Sequence, residues 1–186
     1  MNYQQSLANA RQEASTLGSR LHSKLLKSDM RSRVALSCFA IAQQHHSAII
    51  ILLSHPQPLH SSAFSLLRPL AEATFRGFWI ARCASDEKIS NILTGNKKQI
   101  DTATIVRELL SAVNQSDKHT SFYQRVWPSL STYTHSYEES LFPWLLDENI
   151  EPCFTEEHLL SLLTRCHLTA QLIEMGVLSL FADPAS

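Results

Sequence analysis

The sequence predicts an all-α protein, an antiparallel up-and-down bundle of about six or seven helices. Three observations support this prediction. Only four glycines occur in 186 residues, and no run of residues alternates apolar and polar side chains as a half-buried strand does. Apolar residues instead recur three and four positions apart over long stretches. Because the connections are short and no internal repeat occurs, residues 1–186 are predicted to form a single domain.

Composition places the chain among globular proteins and gives no overall signal for nucleic acid. Apolar residues make up 44% of the chain and charged residues 18%, which suits a packed core rather than a disordered chain. The net charge is −1, yet residues 1–33 hold six Lys and Arg against two acids, and residues 137–186 hold nine acids against one Arg. This asymmetry suits either head-to-tail docking or two differently charged solvated faces.

Cysteine usage and the polar start of the chain predict a cytoplasmic protein. The four cysteines lie far apart without a C-x-x-C pair, so neither a disulfide framework nor a zinc knuckle is expected. The stretch MNYQQSLANARQEAS lacks the apolar segment of a signal peptide. The longest apolar run, at residues 48–53, is too short to cross a bilayer. We expect no membrane contact, no metal and no cofactor.

The first three helices can be placed from apolar stripes and from the residues that begin and end helices. Residues 3–27 carry one apolar stripe, and residues 30–54 form a second helix that two prolines terminate. The third helix is predicted to begin near Ser61 or Ser62, which are both good N-cap residues, and to run to about residue 84.

The later helices are predicted from capping residues. Ser85 begins a short helix that Gly95 ends, and Asp101 begins the next one, which runs to about residue 114. Pro128 either begins a further helix or kinks a longer one. Thr155 begins the last helix, which runs to about residue 181 with acidic residues in its first turn, where they favour the helix dipole.

The third helix, which includes LRPLAEATFRGFWIA, is apolar on most sides yet carries charges at four-residue spacing. On a helical wheel, Arg68, Glu72, Arg76 and Trp79 fall within a stripe of about 80°. A helix that is apolar on so many sides is expected at the centre of the bundle. Its charges are then at least partly buried and must be paired.

Two interpretations of this stripe are open. In the structural one, the charges form an Arg-Glu-Arg ladder that fixes helix register, with Trp79 beside a guanidinium. In the functional one, Arg68 and Arg76 line a cleft. One glutamate neutralises only one arginine, and the surplus guanidinium suits a phosphate or another anion. Glu108 or Asp117 can absorb that surplus.

A second candidate lies in STYTHSYEES, residues 131–140. If this segment is helical, Tyr133 and Tyr137 belong to its inward stripe and His135 lies on the opposite side. The other histidines lack the spacing of metal ligands, and the sequence has neither a Gly-rich phosphate loop nor a G-x-S-x-G motif.

SAFSLLRPLAEATFRGFWIA and YTHSYEES together resemble a group of uncharacterised bacterial helical proteins over about residues 35–140. That group is remotely similar to the HEPN superfamily of helical bundles, which includes metal-independent RNases of toxin–antitoxin and phage-defence systems and also non-catalytic partners. The resemblance implies a HEPN-like bundle and marks Arg68, Glu72, Arg76, Trp79 and His135.

The sequence differs from the HEPN nuclease pattern in the position of the arginine that precedes the histidine. Such nucleases carry an arginine four to six residues before the histidine, whereas the nearest arginine before His135 is Arg125. Ten residues of helix span about 15 Å, too far for both side chains to reach one phosphate without a bend at Pro128.

The predicted function is therefore a non-catalytic interaction or accessory protein of a bacterial defence or toxin–antitoxin type system. It is expected to act as a homo-oligomer or with a protein partner, with the long helices at residues 3–27 and 155–181 as the interface. The alternative is a metal-independent RNase or a nucleotide-binding effector. In that alternative His135 is the general acid or base, Arg68 and Arg76 hold phosphate, and Glu72 orients them.

Overall fold

The computed structural model describes residues 2–22, 29–95, 100–112 and 153–181, and within these ranges the chain is helical and contains no strand. The helices are α1 (Tyr3–His22), α2 (Met30–Ser54), α3 (His60–Ser65), α4 (Leu67–Arg82), α5 (Asp86–Thr94), α6 (Thr102–Ala112) and α7 (Glu156–Phe181). The all-α class is confirmed, and the bounds of α2 agree with the predicted second helix.

Most of the predicted capping residues perform that role. Ser85, Asp101 and Thr155 each accept a hydrogen bond from the backbone N–H three residues later, at the starts of α5, α6 and α7. Gly95 ends α5 with a left-handed φ of 67°, a conformation that glycine adopts without steric cost. These local signals depend on adjacent residues alone, which is why the sequence reveals them.

The prediction of one continuous third helix from Ser61 or Ser62 is wrong. The structure has two helices, α3 and α4, with Leu66 between them. Pro69 lies in the first turn of α4 and lacks the N–H that would bond to the carbonyl four residues earlier, so the ladder is interrupted there. Leu59, which has no side-chain cap bond, precedes α3, and both serines lie inside that helix.

Helix α2 packs against α1, α4 and α7, and α4 packs against α2, α3, α6 and α7. Arg82 is the one exposed residue of α4, whereas α2 exposes Ile41, Ile51 and several polar residues, so the structure agrees with the prediction that the helix of residues 67–81 is central.

Helices α1, α4 and α7 each run antiparallel to α2, because later residues of each neighbour lie beside earlier residues of α2. In α1, Glu13 lies beside His46 and Gly18 beside Gln43. In α4, Gly77 lies beside Phe39 and the Ile80 carbonyl accepts a hydrogen bond from Arg31. In α7, His167 lies near His46 and Gly176 beside Phe39.

Helices α1 and α7 run parallel to each other, which an alternating up-and-down order of neighbouring helices does not predict. The Tyr3 amide donates to Glu156 at 2.9 Å, and Arg20 forms an ion pair with Glu174 near the other end of the pair. Both helices lie antiparallel to α2, so they are brought side by side across it. The finer HEPN-like arrangement stays a prediction.

The centre of the core is the fit of Phe39 between two glycines. A Cβ atom at Gly77 of α4 would lie 2.7 Å from the Phe39 ring, and one at Gly176 of α7 would lie 2.4 Å from it. The ring also packs edge-on to Phe78, with centroids 5.2 Å apart. The two glycines therefore allow α4 and α7 to approach α2 at this level.

Helix α2 is the one helix in the described ranges that is long and apolar enough to cross a membrane, with 44% of its most apolar stretch buried in the protein. Length and composition alone give this result, and the core helix of a soluble protein meets the same criteria. The packing of α2 against α1, α4 and α7 accounts for the buried share of that stretch.

Candidate functional site

The first part of the charged stripe on α4 is an ion pair. Arg68 Nε donates to Glu72 Oε1 at 2.7 Å, and the two side chains are 22% and 31% exposed. This is the four-residue pairing that helix geometry allows, and it lies at the edge of the core rather than inside it. Glu72 is thereby engaged by Arg68, as the ladder interpretation requires.

Arg76, one turn further along, is half-buried and forms no ion pair with any carboxylate of the described ranges. Its positive charge acts on Cys38 of α2. Burial raises the pKa of the Cys38 thiol to about 11, and the charge of Arg76 opposes that rise. Within the described residues, the arginine of the stripe that has no carboxylate partner is therefore Arg76, on the α4 side of the contact with α2.

Among the described residues, the cation beside Trp79 is an ammonium rather than the guanidinium of the ladder interpretation. The Trp79 indole is fully buried, and Nε1 donates to Glu108 Oε2 of α6 at 2.6 Å. Lys88 pairs with Glu108 at 2.9 Å and lies over the indole, 5.4 Å from its centroid. Hydrogen bonds from Trp79 and then Lys88 lower the pKa of the Glu108 carboxyl. Glu108 is thus occupied and does not neutralise Arg76.

His135, Tyr133 and Tyr137 lie outside the described residues, as does Asp117. The structure therefore places the arginine stripe but not the histidine that the RNase interpretation pairs with it. The distance from His135 to Arg68 and Arg76 stays a prediction.

The cysteines of the core are thiols rather than reactive thiolates. Cys38 and Cys166 are buried, and burial raises the pKa of Cys166 to about 12. Cys83 is half-buried at the end of α4, where burial also raises its thiol pKa. Among the residues placed by the structure, no group of three His, Cys, Asp or Glu side chains is arranged to hold a metal ion.

A polar cluster that the sequence interpretation did not assign lies where α1, α2 and α7 meet. Glu13 Oε1 accepts a hydrogen bond from His167 Nδ1 at 2.7 Å, and Glu13 Oε2 lies 3.9 Å from His46 Nε2. His46 is fully buried, and neither ring nitrogen makes a hydrogen bond within the part of the chain that the structure describes. Burial lowers its pKa to about 4, with His167 contributing further.

One sequence signal would have located part of this cluster. His46 continues the buried stripe of α2 at three- and four-residue spacing, which comprises Phe39, Ala42, Gln43, His46, Ile49, Ile50 and Leu53. The burial of His46 can therefore be predicted from the sequence. Its proximity to Glu13 and His167 cannot, because those side chains belong to helices that are distant in the sequence.

The outer face of α2 is the largest apolar surface feature on this helix. Ile41 is 49% exposed and Ile51 is 67% exposed, with Ala48 half-buried between them. At 100° per residue these three positions fall within a stripe of about 80°. Gln44 lies within the same stripe, and the exposed polar residues Ser37 and Arg33 continue it towards the start of α2.

Comparison with known families identifies the chain. A family model described as "Family of unknown function (DUF6988)" matches residues 39–139. The match covers more than half of the 186 residues, so the chain belongs to this family. The resemblance to an uncharacterised family, drawn from residues 62–81 and 133–140, is confirmed in this respect.

No curated protein and no solved structure gives a significant match. The function is therefore argued from the surfaces and the polar groups described above.

Proposed function

We propose that this member of the DUF6988 family is a non-catalytic helical interaction protein that binds a second copy, or a protein partner, through the outer face of α2. The observation that carries the proposal is the exposure of Ile41 and Ile51 on a helix whose other side is already buried by α1, α4 and α7. A helix at the surface of a monomer normally turns polar residues to water, whereas a helix apolar on several sides is normally covered.

This surface replaces the interface first predicted from residues 3–27 and 155–181. The leucine stripes of those helices are used inside the chain, since Leu7, Leu17 and Leu163 are each at most 5% exposed. A partner would have to displace α2 to reach them. A partner can reach the outer face of α2 without separating any of the helices that form the core.

The carboxylates of α4 and α6 support a structural role rather than a catalytic one. Glu72 is held by Arg68, and Glu108 is held by Trp79 and Lys88. The resemblance to HEPN-type bundles supports placing such a protein as an accessory subunit in a cytoplasmic bacterial defence or toxin–antitoxin type system.

Light scattering coupled to size exclusion tests the interface. We expect a mass of twice 21.0 kDa for the wild type, and a monomer for the double variant Ile41→Glu, Ile51→Glu with unchanged helical content. The matched control is Ile92→Glu, Leu93→Glu, which charges two exposed apolar residues of α5. It should remain dimeric.

The protein-partner form of the proposal applies if the wild type is a monomer. A partner co-purified from the native host should then be lost with the α2 double variant and kept with the α5 control. A monomeric wild type whose partner binds both variants equally would contradict the proposal. Recovery of the wild type with membranes, and release only by detergent, would contradict it as well.

A second candidate function, binding of phosphate or another anion, is favoured by Arg76, which is half-buried and has no carboxylate partner in the described ranges. An RNA-binding and cleavage assay with a metal chelator present tests it. Arg76→Ala and His135→Ala should abolish cleavage if the RNase alternative holds, while the exposed Arg107→Ala should leave it unchanged. Cleavage that survives both of the first two variants would exclude this candidate.

A further inference from the structure

We propose that the outer face of α2 binds the same face of a second copy of this chain, with the two α2 helices antiparallel about a two-fold axis level with His46. The proposal rests on the interface proposed above, and it specifies which partner occupies that interface and in which register. In this register Ile41 of each copy lies against Ile51 of the partner subunit.

The exposed stripe of α2 has the spacing of a coiled-coil seam. Its positions alternate four and three residues apart: Ser37, Ile41, Gln44, Ala48 and Ile51. This spacing keeps one line of side chains facing a second helix over several turns, and here the line is about 21 Å long. Ala40 and Ser47 beside the stripe are small, so a second helix can approach closely.

The stripe is complementary to itself when its direction is reversed. Ile41 and Ile51 lie five residues before and after His46, and Gln44 and Ala48 lie two residues before and after it. In an antiparallel pair centred there, isoleucine meets isoleucine, and each Gln44 meets a small alanine that leaves room for its amide. A two-fold interface requires such self-complementarity, because both copies present the same surface.

Gln44 selects this register over its neighbours. The two Gln44 side chains lie on either side of the two-fold axis, about 6 Å apart along the helices. Each amide contains a donor and an acceptor, so the two can hydrogen-bond to each other. Sliding one helix by seven residues either places Gln44 against an isoleucine or moves Ile41 past the end of the partner's α2. A polar residue in a mainly apolar seam fixes the register in this way.

The charges at the ends of α2 favour the antiparallel arrangement over the parallel one. Exposed Arg33 continues the stripe towards the start of the helix, and the last turn contains no basic residue. Parallel pairing would bring the two Arg33 side chains together at the positive ends of both helix dipoles. Antiparallel pairing separates them by about 39 Å and directs each towards the negative end of the partner's α2.

Cross-linking with a short bismaleimide tests the register. The background is Cys83→Ser, Cys153→Ser, which retains the buried thiols of Cys38 and Cys166. On it, Ile41→Cys, Ile51→Cys should form a covalent dimer, because the thiol at position 41 meets the one at position 51 of the other copy. Either single variant should give at least about tenfold less covalent dimer, because identical positions lie about 15 Å apart along the axis.

Charge pairing gives a second measurement that does not depend on cysteine chemistry. Ile41→Lys, Ile51→Glu places opposite charges against each other in both isoleucine layers, whereas Ile41→Glu, Ile51→Glu places like charges there. By sedimentation equilibrium, the mixed-charge variant should dimerise at least about tenfold more tightly than the like-charge variant. The reversed variant, Ile41→Glu, Ile51→Lys, should behave as the first mixed-charge variant does.

The outcomes separate this proposal from the function on which it rests. Covalent dimer from both single cysteine variants, or equal affinities of the mixed-charge and like-charge variants, would overturn the antiparallel register and leave the outer face of α2 as the interface. A like-charge variant as dimeric as the wild type would contradict the proposed interface itself. A monomeric wild type without cross-linking of the double cysteine variant would overturn the second copy as occupant.

Discussion

Phe39 and His46 occupy equivalent positions two turns apart on the inner face of α2, and neither side chain is exposed to solvent. Around Phe39 the neighbouring helices contribute glycines, so the ring is closely surrounded by apolar atoms. Around His46 the neighbouring helices contribute a carboxylate and a second histidine, yet the ring makes no hydrogen bond to them. Equal burial thus has opposite energetic consequences at the two positions.

Burial of Phe39 stabilises the folded protein through packing, whereas burial of the polar His46 ring costs free energy of folding. A buried aromatic ring gains from every contact, whereas a buried polar group without a hydrogen bond costs about 1–3 kcal/mol by mutational data. Four predictions test whether the two positions differ in this way.

The largest expected effect is the response of His46 to acid. Its pKa is about 4 in the folded protein, below the ordinary value of 6.5, because burial disfavours the charged ring. Between these values the unfolded chain binds a proton that the folded chain does not. Stability is therefore fully present above pH 6.5 and falls as the pH decreases towards 4, by about 3 kcal/mol in total.

The measurement is the free energy of unfolding in urea from pH 7.5 down to about 4.5. The groups that face His46 are Glu13 and His167, and burial also lowers the pKa of His45 and His60. His46→Leu should flatten the pH dependence, whereas His158→Leu, at an exposed position, should leave it as in the wild type. An unchanged slope in His46→Leu would show that His46 is not the titrating group.

The second prediction concerns the other half of the comparison. Gly176→Ala places a methyl group 2.4 Å from the Phe39 ring and should destabilise the protein by about 2 kcal/mol, because a packed core resists added volume. The matched control is Gly18→Ala in α1. Its new Cβ meets only the flexible end of Gln43 at 3.3 Å, so that variant should be neutral or slightly more stable.

A double-mutant cycle assigns the effect to Phe39. The shorter side chain in Phe39→Leu should relieve most of the strain of Gly176→Ala, so the two changes should be far from additive. Additive free energies would mean that the cost of the alanine arises elsewhere in α7.

The part of the molecule readable from the sequence is the part decided by neighbours along the chain. The caps at Ser85, Asp101 and Thr155, the end at Gly95, and the Arg68–Glu72 pair depend on residues three or four positions apart. These features follow from helix geometry before any tertiary contact exists.

What the sequence could not show depends on which faces of distant helices meet. Phe39 packs against Gly77 and Gly176, which lie 38 and 137 positions further along the chain. The cation over the Trp79 ring is Lys88 and not Arg76. The same holds for Glu13, which meets a histidine at position 167. A helical wheel gives the buried side of each helix, but the partners are set by rotation and register between helices, which are tertiary quantities.

The third prediction concerns a buried polar group that, unlike His46, makes a hydrogen bond. The indole N–H of Trp79 is buried like His46 but donates to Glu108 at 2.6 Å. Glu108→Leu should cost about 1.5 kcal/mol, because it leaves that N–H without its acceptor. Lys88→Met should cost less, about 0.5 kcal/mol, since it removes only a partly exposed ion pair.

Thermal or urea unfolding of these two variants measures the difference. Equal losses would indicate that the ion pair, and not the indole hydrogen bond, is the stabilising part of the network. Glu157→Leu, on the exposed start of α7, controls for the general effect of removing an acid.

The fourth prediction, with the smallest expected change in stability, compares His46 and Phe39 directly. His46→Leu replaces a buried ring that lacks hydrogen bonds by an apolar side chain, and it should stabilise the protein at pH 7.5 by about 1 kcal/mol. Phe39→Leu, two turns away on the same face, should destabilise it by about 1 kcal/mol through lost contacts. Opposite signs, measured by urea unfolding under identical conditions, would establish that the bundle tolerates His46 rather than depends on it for folding. A loss of stability in both variants would mean instead that the imidazole packs as productively as the phenyl ring, and the energetic cost assigned to His46 would then be wrong.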